Sequence, residues 1–304
     1  MEPFKVHILG CGSALPTLRH NPSSQVVEVR GKMFMVDCGE GTQLQLRRVK
    51  VRFTKVSAVF ISHLHGDHCF GLIGMISTFG MLGRTAALHI YAYKDLNDIL
   101  QRQIEYFCNG LEYDIVFHAI DPTKHAVVYE DKSVSVETVP LVHRVPCCGF
   151  IFREKPTLPH IRRDMIDCYE VPLSQINNIK NGADWTTPDG QLIPNSRLTV
   201  PADRPRSYAY CSDTKYSPAL AEAVRGVDLL YHEATYDSSN EARAKLYHHS
   251  TAAQAATVAR DAGARRLVIG HFSARYDEER TLLAEAKAVF SDTVLANEGE
   301  VFDV

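Results

Sequence analysis

The sequence lacks the long apolar runs and the paired cysteines that mark several large classes of protein. No apolar stretch approaches the roughly 18 to 20 residues that a membrane-spanning helix needs, and residues 1–5 do not begin a secretory signal. The eight cysteines are scattered and form no Cys-x-x-Cys pair. This pattern favours reduced thiols, argues against a zinc ribbon, and leaves His and Asp as metal ligands. These absences predict a cytoplasmic protein.

The sequence also lacks a large excess of positive or negative charge, since the formal net charge of the 304 residues is −3. A chain with this balance does not coat nucleic acid over its whole surface, so a polyanionic partner has to be bound by a local basic patch. The hydrophobic fraction of 45% and the single Trp are those of a soluble globular protein. The length allows one large domain or two ordinary ones.

Hydrophobic periodicity indicates an α/β protein whose conspicuous polar residues follow strands. Predicted strands cover residues 5–9, 24–30, 32–37, 56–62, 87–92, 133–141, 207–211, 227–232 and 266–270, and predicted helices cover 71–79, 94–107 and 251–262. We expect a tight turn at residues 30–32 and an N-cap for the last helix at Ser250 or Thr251. Residues 153–206 contain several prolines and little periodicity, so they are expected to form an excursion from the core.

The most informative segment is a cluster in which His63, His65, Asp67 and His68 follow a predicted strand. Imidazole and carboxylate groups bind zinc, and catalytic zinc sites keep one position open for water. His63 and His65 project alike in an extended segment, while the other two lie beyond the bend, which suits two adjacent metals better than one. A histidine cluster bonded to carbonyls is the alternative, but burying so many polar groups without a metal is costly. The cluster therefore predicts a dinuclear metal hydrolase.

This His-x-His-x-Asp-His pattern resembles the signature of the metallo-β-lactamase superfamily. The resemblance implies an α/β fold in which two mixed sheets are packed face to face between helices, an αββα sandwich. It also implies two metal sites that share a bridging carboxylate, with His63, His65 and His143 for one metal, Asp67, His68 and His271 for the other, and Asp213 for both. Two zinc ions per chain are the expected cofactors, and the same ligands accept manganese or iron.

A closer resemblance, to the ribonuclease Z family, covers nearly the whole chain. The segments that support it are residues 9–17, 36–43, 143–146, 232–235, 249–256 and 271–276, of which the last three are the most specific. The resemblance implies an endoribonuclease that removes the 3′ trailer from precursor tRNA by attack of a metal-bridged hydroxide. The products would be a 3′-hydroxyl on the tRNA and a 5′-phosphate on the trailer. It further implies one domain over residues 1–304, an inserted substrate-binding arm at 153–206, and a homodimer.

The resemblance also implies catalytic roles for three residues. Asp67 would be both metal ligand and general base. Attack on phosphorus expels a ribose 3′-oxygen that needs a proton, and His249, oriented by Glu233, is the expected general acid. The His-Ser-Thr segment favours His249 over the adjacent His248. The alternative for His249 and Glu233 is a polar contact that holds a loop in place.

Other polar segments lie close to the predicted site. Arg275 and Tyr276 follow a predicted ligand and are expected to hold the substrate phosphate or the terminal base. Residues 10–13 lack the third glycine of a dinucleotide-binding motif, so we expect a tight turn near the metals. Residues 37–41 are expected to form a loop that supports the ligands.

One feature departs from the family pattern. Ribonuclease Z proteins commonly grip the tRNA elbow with an arm that bears a Gly-Pro motif, and residues 153–206 contain no Gly-Pro. The segments at 171–175 and 178–182 are the candidates for its role. The departure affects how tRNA is held and leaves the catalytic assignment intact.

Three other functions compete with the expected one. The first is a phosphodiesterase, or a hydrolase of esters, thioesters or lactones, that acts on a small molecule with the same metal scaffold. The second is a catalytically silent RNA-binding subunit, which would normally have lost metal ligands, whereas all seven are present. The third is a two-iron oxidoreductase, which would be expected to have a further carboxylate ligand in the cluster. Metal content and competition by tRNA distinguish these functions.

Overall fold

The computed structural model describes residues 2–304 of the chain. These residues divide into two compact units, one formed by residues 2–153 and 206–304 and the other by residues 154–205. The larger unit contains all the predicted metal ligands. None of the helices within residues 2–304 combines the length and the apolar character that crossing a lipid bilayer requires.

The larger unit contains two mixed sheets of seven strands each. The first sheet is formed by β1 (Phe4–Gly10), β2 (Ser24–Val29), β3 (Lys32–Cys38), β4 (Val56–Phe60), β5 (Leu88–Tyr93), β6 (Ile115–Ile120) and β18 (Val301–Asp303), in the order β18-β1-β2-β3-β4-β5-β6. The second is formed by β7 (Ala126–Glu130), β8 (Val134–Pro140), β9 (Cys148–Glu154), β14 (Ser207–Cys211), β15 (Leu229–Glu233), β16 (Arg266–Gly270) and β17 (Thr293–Leu295), in the order β17-β16-β15-β14-β9-β8-β7. Pairing from β3 to β6 and from β14 to β17 is parallel.

Helices cover the outer faces of both sheets. Those that follow strands of the first sheet are α1 (Thr42–Arg48), α2 (Gly66–Cys69), α3 (Leu72–Met81) and α4 (Asp95–Phe107). Those that follow strands of the second are α8 (Pro218–Ala223), α9 (Glu241–Tyr247), α10 (Ala252–Ala262) and α11 (Arg280–Val289). The predicted αββα sandwich is confirmed.

Central strands such as β4 and β14 are buried on both faces because each sheet is covered on both sides. In β4, Ala58 and Phe60 pack in the core between the sheets, whereas Val59 packs against the helices. The ring of Phe60 lies 5.4 Å from that of Phe150 and 5.6 Å from that of Phe152, both on a strand of the other sheet. These aromatic contacts pack the two sheets against each other and so fix the relative positions of their strand ends.

Residues 154–205 form a small unit with its own apolar core. Its elements are β10 (His160–Ile161), α5 (Arg163–Cys168), α6 (Ile176–Lys180), β11 (Trp185–Thr186), β12 (Leu192–Ile193), α7 (Asn195–Leu198) and β13 (Thr199–Val200). Its buried apolar side chains are Ile166, Val171, Ile179, Ile193 and Leu198. The low periodicity of this stretch reflects elements that are too short for a repeating pattern to develop.

Two local expectations can be compared with the backbone. The predicted turn after β2 is present, and Arg30 and Gly31 have φ angles of 50° and 72°, as a tight hairpin turn requires. The expected tight turn at residues 10–13 is wrong. Gly12 is extended and pairs with Phe272, and the Ser13 amide donates to the Phe272 carbonyl at 3.0 Å. The chain stays extended after the end of β1 because residues 11–13 run alongside Phe272, which follows β16.

Candidate active site

The predicted metal ligands meet where strands of both sheets end. Parallel strands present their carboxyl ends at one edge, which is where polar side chains gather in such sheets. The ligands come from the segment after β4, from α2, and from the residues after β8, β14 and β16, as follows: His63 and His65, Asp67 and His68, His143, Asp213, and His271.

The first cluster consists of three imidazoles and one oxygen of Asp213. The Nδ1 atom of His65 lies 3.1 Å from Nε2 of His63 and 3.2 Å from Nε2 of His143. The Oδ2 atom of Asp213 lies 3.5 Å from the same nitrogen of His63 and 3.6 Å from that of His143. Four ligand atoms therefore surround one point.

The second cluster uses the other oxygen of Asp213. Its Oδ1 atom lies 3.1 Å from Nε2 of His68 and 3.0 Å from Nε2 of His271. The Oδ2 atom of Asp67 lies 3.4 Å and 3.5 Å from these two nitrogens. Asp213 thus offers one carboxylate oxygen to each cluster, as a bridging ligand does.

The donor set fits divalent metal ions. The Nε2 atoms of His68 and His271 are buried, and although carboxylate oxygens of Asp213 lie 3.1 and 3.0 Å from them, neither atom forms a hydrogen bond of good geometry within residues 2–304. This arrangement is costly unless a cation takes up the lone pairs. Burial lowers the pKa of His65, and it lowers the pKa of His143 to about 4. Imidazole has to be neutral to bind a metal, so these surroundings favour the ligand form.

Asp37 orients the ligands of both clusters. Its Oδ2 atom lies 2.7 Å from Nδ1 of His68, and its Oδ1 atom accepts from the Ser62 amide at 2.8 Å. The Ser62 hydroxyl lies 3.1 Å from Nδ1 of His63, and the Tyr210 hydroxyl donates to Oδ2 at 2.7 Å. A carboxylate that receives the Nδ1 proton of His68 turns Nε2 toward the metal. Asp37 therefore supports the ligands, as expected for residues 37–41.

Several site residues have a left-handed backbone. Asp37, Asp213 and His271 have φ angles of 55°, 57° and 59°. Residues other than glycine rarely adopt this backbone conformation, because it costs about 1 to 3 kcal/mol. Where it occurs, it is often at a functional site. Here all three residues lie at or just past the carboxyl end of a strand, namely β3, β14 and β16.

Glu233 and His249 form a hydrogen-bonded pair beside the second cluster. Glu233 ends β15 and is buried, and its Oε1 atom lies 2.8 Å from Nδ1 of His249. Burial opposes the charge on His249, but the carboxylate of Glu233 outweighs it and raises the pKa of His249 to about 9. Divalent cations held by the neighbouring clusters would oppose this rise. The capping box of Thr251 and Gln254 at the start of α10 fixes the loop that contains His249.

Thr235 connects this pair to the metal ligands. Its hydroxyl donates to Oε2 of Glu233 at 2.6 Å and accepts from Nδ1 of His271 at 2.9 Å. The Nδ1 proton of His143 is similarly held by the carbonyl of His248 at 3.0 Å. These contacts leave Nε2 of each ligand free for the metal.

Replacement of Thr235 by valine is expected to weaken metal binding roughly 10- to 100-fold, since His271 loses the acceptor that sets its tautomer. Thr235→Ser retains the hydroxyl and should retain the metal. The measurement is the metal that remains bound during titration with a chelator. Equal retention by the valine and serine variants would show that the hydroxyl has no part in orienting His271.

A cleft of about 500 Å³ opens above the clusters. Arg275 lines it, together with Ser13 and Ala14 of the straight segment after β1. Tyr276 does not line the cleft. Its hydroxyl instead accepts a hydrogen bond from the backbone amide of Asp237 at 2.9 Å. The structure therefore brings Arg275, but not Tyr276, to the cleft above the ligand clusters.

Several residues that contribute to the site had not been identified from the sequence. These are Thr235 and the cleft residues Arg144, Tyr236, Arg243 and Tyr247. Arg144 directly follows a predicted ligand, so its position was a usable signal. No local pattern distinguishes Arg243 from other exposed arginines on short helices.

Known proteins share this architecture and sequence. Residues 4–160 match the family model described as Anti-Pycsar protein Apyc1. Ribonuclease Z from Phocaeicola vulgatus is 58% identical over 298 residues, which cover 98% of this chain and 96% of the relative. Ribonuclease Z from Bacteroides fragilis is also 58% identical over 298 residues and 98% of each chain. The crystal structure of the short form of human tRNase Z matches with a TM-score of 0.71, 25% identity, and coverage of 98% of each chain.

The fold and the paired ligand clusters define a hydrolase of the metallo-β-lactamase fold that binds divalent metal. Within this class, sequence identity over nearly the full length is decisive. The chain belongs to the ribonuclease Z family, and its residues 4–160 belong also to the family described as Anti-Pycsar protein Apyc1. It is an endoribonuclease of the ribonuclease Z type.

Proposed function

We propose that this endoribonuclease removes the 3′ trailer from precursor tRNA by hydrolysing one phosphodiester bond after the discriminator base. The observation that supports it most is the presence, in one cleft, of two ligand clusters bridged by Asp213 and of the Glu233–His249 pair. Ribonuclease Z relatives that are 58% identical and the solved human tRNase Z support the same substrate.

Two zinc ions are the proposed cofactors. His63, His65 and His143 would hold one ion, Asp67, His68 and His271 the other, and Asp213 both. When bound, such a pair of ions lowers the pKa of a water between them and neutralises charge on the phosphodiester. Manganese and iron(II) suit the same ligands, so availability decides among the three metals.

Asp67 is proposed as a ligand that also orients the attacking water. Its carboxylate lies in the second cluster and lines the cleft. Burial opposes the charge on Asp67, but its contacts with His271 and His68 hold its pKa far below the usual range. A carboxylate this acidic is a weak proton acceptor, so the ligand role suits Asp67 better than that of general base.

His249 is proposed as the general acid for the leaving 3′-oxygen. Glu233 holds the Nδ1 atom, so Nε2 is the nitrogen that can donate to the departing ribose oxygen. Protonation of that oxygen leaves the 3′-hydroxyl on the tRNA, and the phosphate stays on the trailer. Glu233 acts as a positioning residue because it fixes the ring and favours its charged form.

The binding arm and the assembly are proposed from the family resemblance. Residues 154–205 would hold the tRNA elbow, although they lack Gly-Pro. A homodimer, in which the arm of one subunit serves the site of its partner, is proposed on the same ground. A cytoplasmic location stays a prediction from the sequence.

Incubation of the metal-replete protein with a 3′-extended tRNA transcript tests the proposal. We expect one cut after the discriminator base, a 3′-hydroxyl on the tRNA and a 5′-phosphate on the trailer, identified by end-labelling. Elemental analysis should give two metal ions per chain. An uncut transcript, with two metals bound, would rule out the proposed substrate. A chromogenic phosphodiester alone cannot decide, but competition by tRNA against it separates a tRNA enzyme from a small-molecule hydrolase.

A further inference from the structure

Five side chains outside the ligand clusters line one wall of the cleft. They alternate in type and come from four segments of the chain: Arg275, Tyr236, Arg243, Tyr247 and Arg144. We call this set the arginine–tyrosine arc.

Contacts between neighbours show that the arc is continuous. The guanidinium carbon of Arg275 lies 5.4 Å from the ring centroid of Tyr236, and that of Arg144 lies 5.9 Å from the ring centroid of Tyr247. Arg243 and Tyr247 are four residues apart on α9 and so share one face of that helix. The charges of Arg275 and Arg243 both lower the pKa of Tyr236, which burial raises, so both guanidinium groups are close to it.

The arc lies next to the proposed general acid. The ring centroid of Tyr236 is 6.2 Å from that of His249. The ring centroid of His249 is in turn 5.2 Å from that of His143, a candidate ligand of the first cluster. The wall of arginines and tyrosines therefore adjoins the place where the 3′-oxygen would leave.

The arc presents positive charge to the cleft, which the carboxylates of Asp67 and Asp213 also line. None of its three guanidinium groups forms an ion pair with a carboxylate of residues 2–304, although the chain as a whole has a formal net charge of −3. Tyr236 is covered, but Tyr247 is 40% exposed and can offer its ring to a ligand. Unpaired guanidinium groups beside an open aromatic ring suit a ligand that has both phosphates and flat bases.

We propose that the arc binds the single-stranded RNA next to the scissile phosphate, with guanidinium groups on backbone phosphates and a base stacked on Tyr247. This proposal rests on the proposed function, since it places the RNA across the metal clusters. Stacking on an aromatic ring accepts every base, so the arc binds the RNA strand without reading its sequence. A local basic wall also explains how a chain of negative net charge binds a polyanion.

Binding of a 3′-extended tRNA transcript and of a short single-stranded RNA tests the arc. Arg243→Ala should weaken binding about tenfold and lower the slope of log K against log salt by roughly 0.7, the value for one phosphate contact to a single strand. Tyr247→Ala should weaken binding roughly tenfold or more without a change of slope, and Tyr247→Phe should restore it. Cleavage of the tRNA should fall at least tenfold more than cleavage of a small chromogenic phosphodiester.

Lys245→Ala and Leu246→Ala are the matched controls. Both side chains are exposed on the same helix and do not line the cleft, and the lysine variant also removes one positive charge. If Arg243→Ala and Tyr247→Ala bind RNA as these controls do, the arc proposal is wrong. A loss confined to one base identity beside the cut would also overturn it, since stacking does not discriminate. Arc-dependent RNA binding by a protein that cuts no tRNA would support the arc and refute the proposed function.

Discussion

Replacement of Asp213 by alanine is expected to remove bound metal from the protein and to abolish cleavage of every phosphodiester tested. The reason is geometric, since Oδ1 lies 3.1 Å or less from two ligand nitrogens of the second cluster and Oδ2 faces the first. Loss of this carboxylate leaves each cluster one ligand short and takes away the charge they share. Activity should fall by roughly four orders of magnitude or more, because a reactive hydroxide at neutral pH depends on the metals.

The measurement is the metal-to-protein ratio together with cleavage rates. His68→Ala should be milder in metal content, because it affects only the second cluster, so about one ion per chain is expected to remain. Asp228→Asn is a matched control, since Asp228 is also buried but accepts from the Ser207 amide at 2.9 Å instead of facing the clusters. If Asp213→Ala retained two ions per chain, Asp213 would not be the bridging ligand.

Replacement of His249 by alanine is expected to lower kcat for precursor tRNA by about 10²- to 10⁴-fold while both metals stay bound. The imidazole lies beside the clusters and is held by Glu233 at 2.8 Å, so its loss removes a proton donor and no metal ligand. A chromogenic ester with a phenolate leaving group needs no such proton, and its hydrolysis should fall far less. Asp213→Ala should reduce both reactions equally, which distinguishes the two roles.

The dependence of kcat on pH provides a second test of His249 as the general acid. A general acid acts only when protonated, so kcat should fall as pH rises through the pKa of His249 in the metal-loaded protein. Burial lowers the pKa of His249, but the carboxylate of Glu233 outweighs it and raises the pKa to about 9. Divalent cations bound at the neighbouring clusters would lower it again. Glu233→Gln removes the carboxylate charge, so this alkaline limb should move to lower pH, and His249→Ala should lack it.

His248→Asn is the control for the neighbouring histidine. His248 contributes its carbonyl to His143 and has a φ of 59°, which asparagine tolerates better than most residues. The loss in kcat should be far smaller than for His249→Ala. A larger loss of kcat for His248→Asn than for His249→Ala would indicate that His248, and not His249, is the general acid.

Local pattern was enough to predict nine strands and three helices of the larger unit, which are fewer than half of the strands and helices of the fold. The strands predicted at 207–211 and 266–270 are β14 and β16 with the same limits, and the capping residue Thr251 starts α10 as expected. These features depend on residues close together in the chain, namely strand periodicity and a cap three residues from its partner. Among the elements that were not predicted, the one-turn helix α2 and the extended segment at 10–13 have backbones that contacts with distant residues decide.

The sequence by itself determined the class of the protein and the candidate metal ligands that the structure brings together, since the His-x-His-x-Asp-His segment places four of them together and each of the others follows a strand. Only the tertiary structure decided how they are oriented and what surrounds them. Asp37 is 173 residues from Tyr210, which donates to it, and 31 residues from His68, which it orients. The arginine–tyrosine arc likewise joins residues from four separate segments of the chain. Hydrogen bonds and charges act through space, so a contact between two distant strand ends leaves no pattern in either segment.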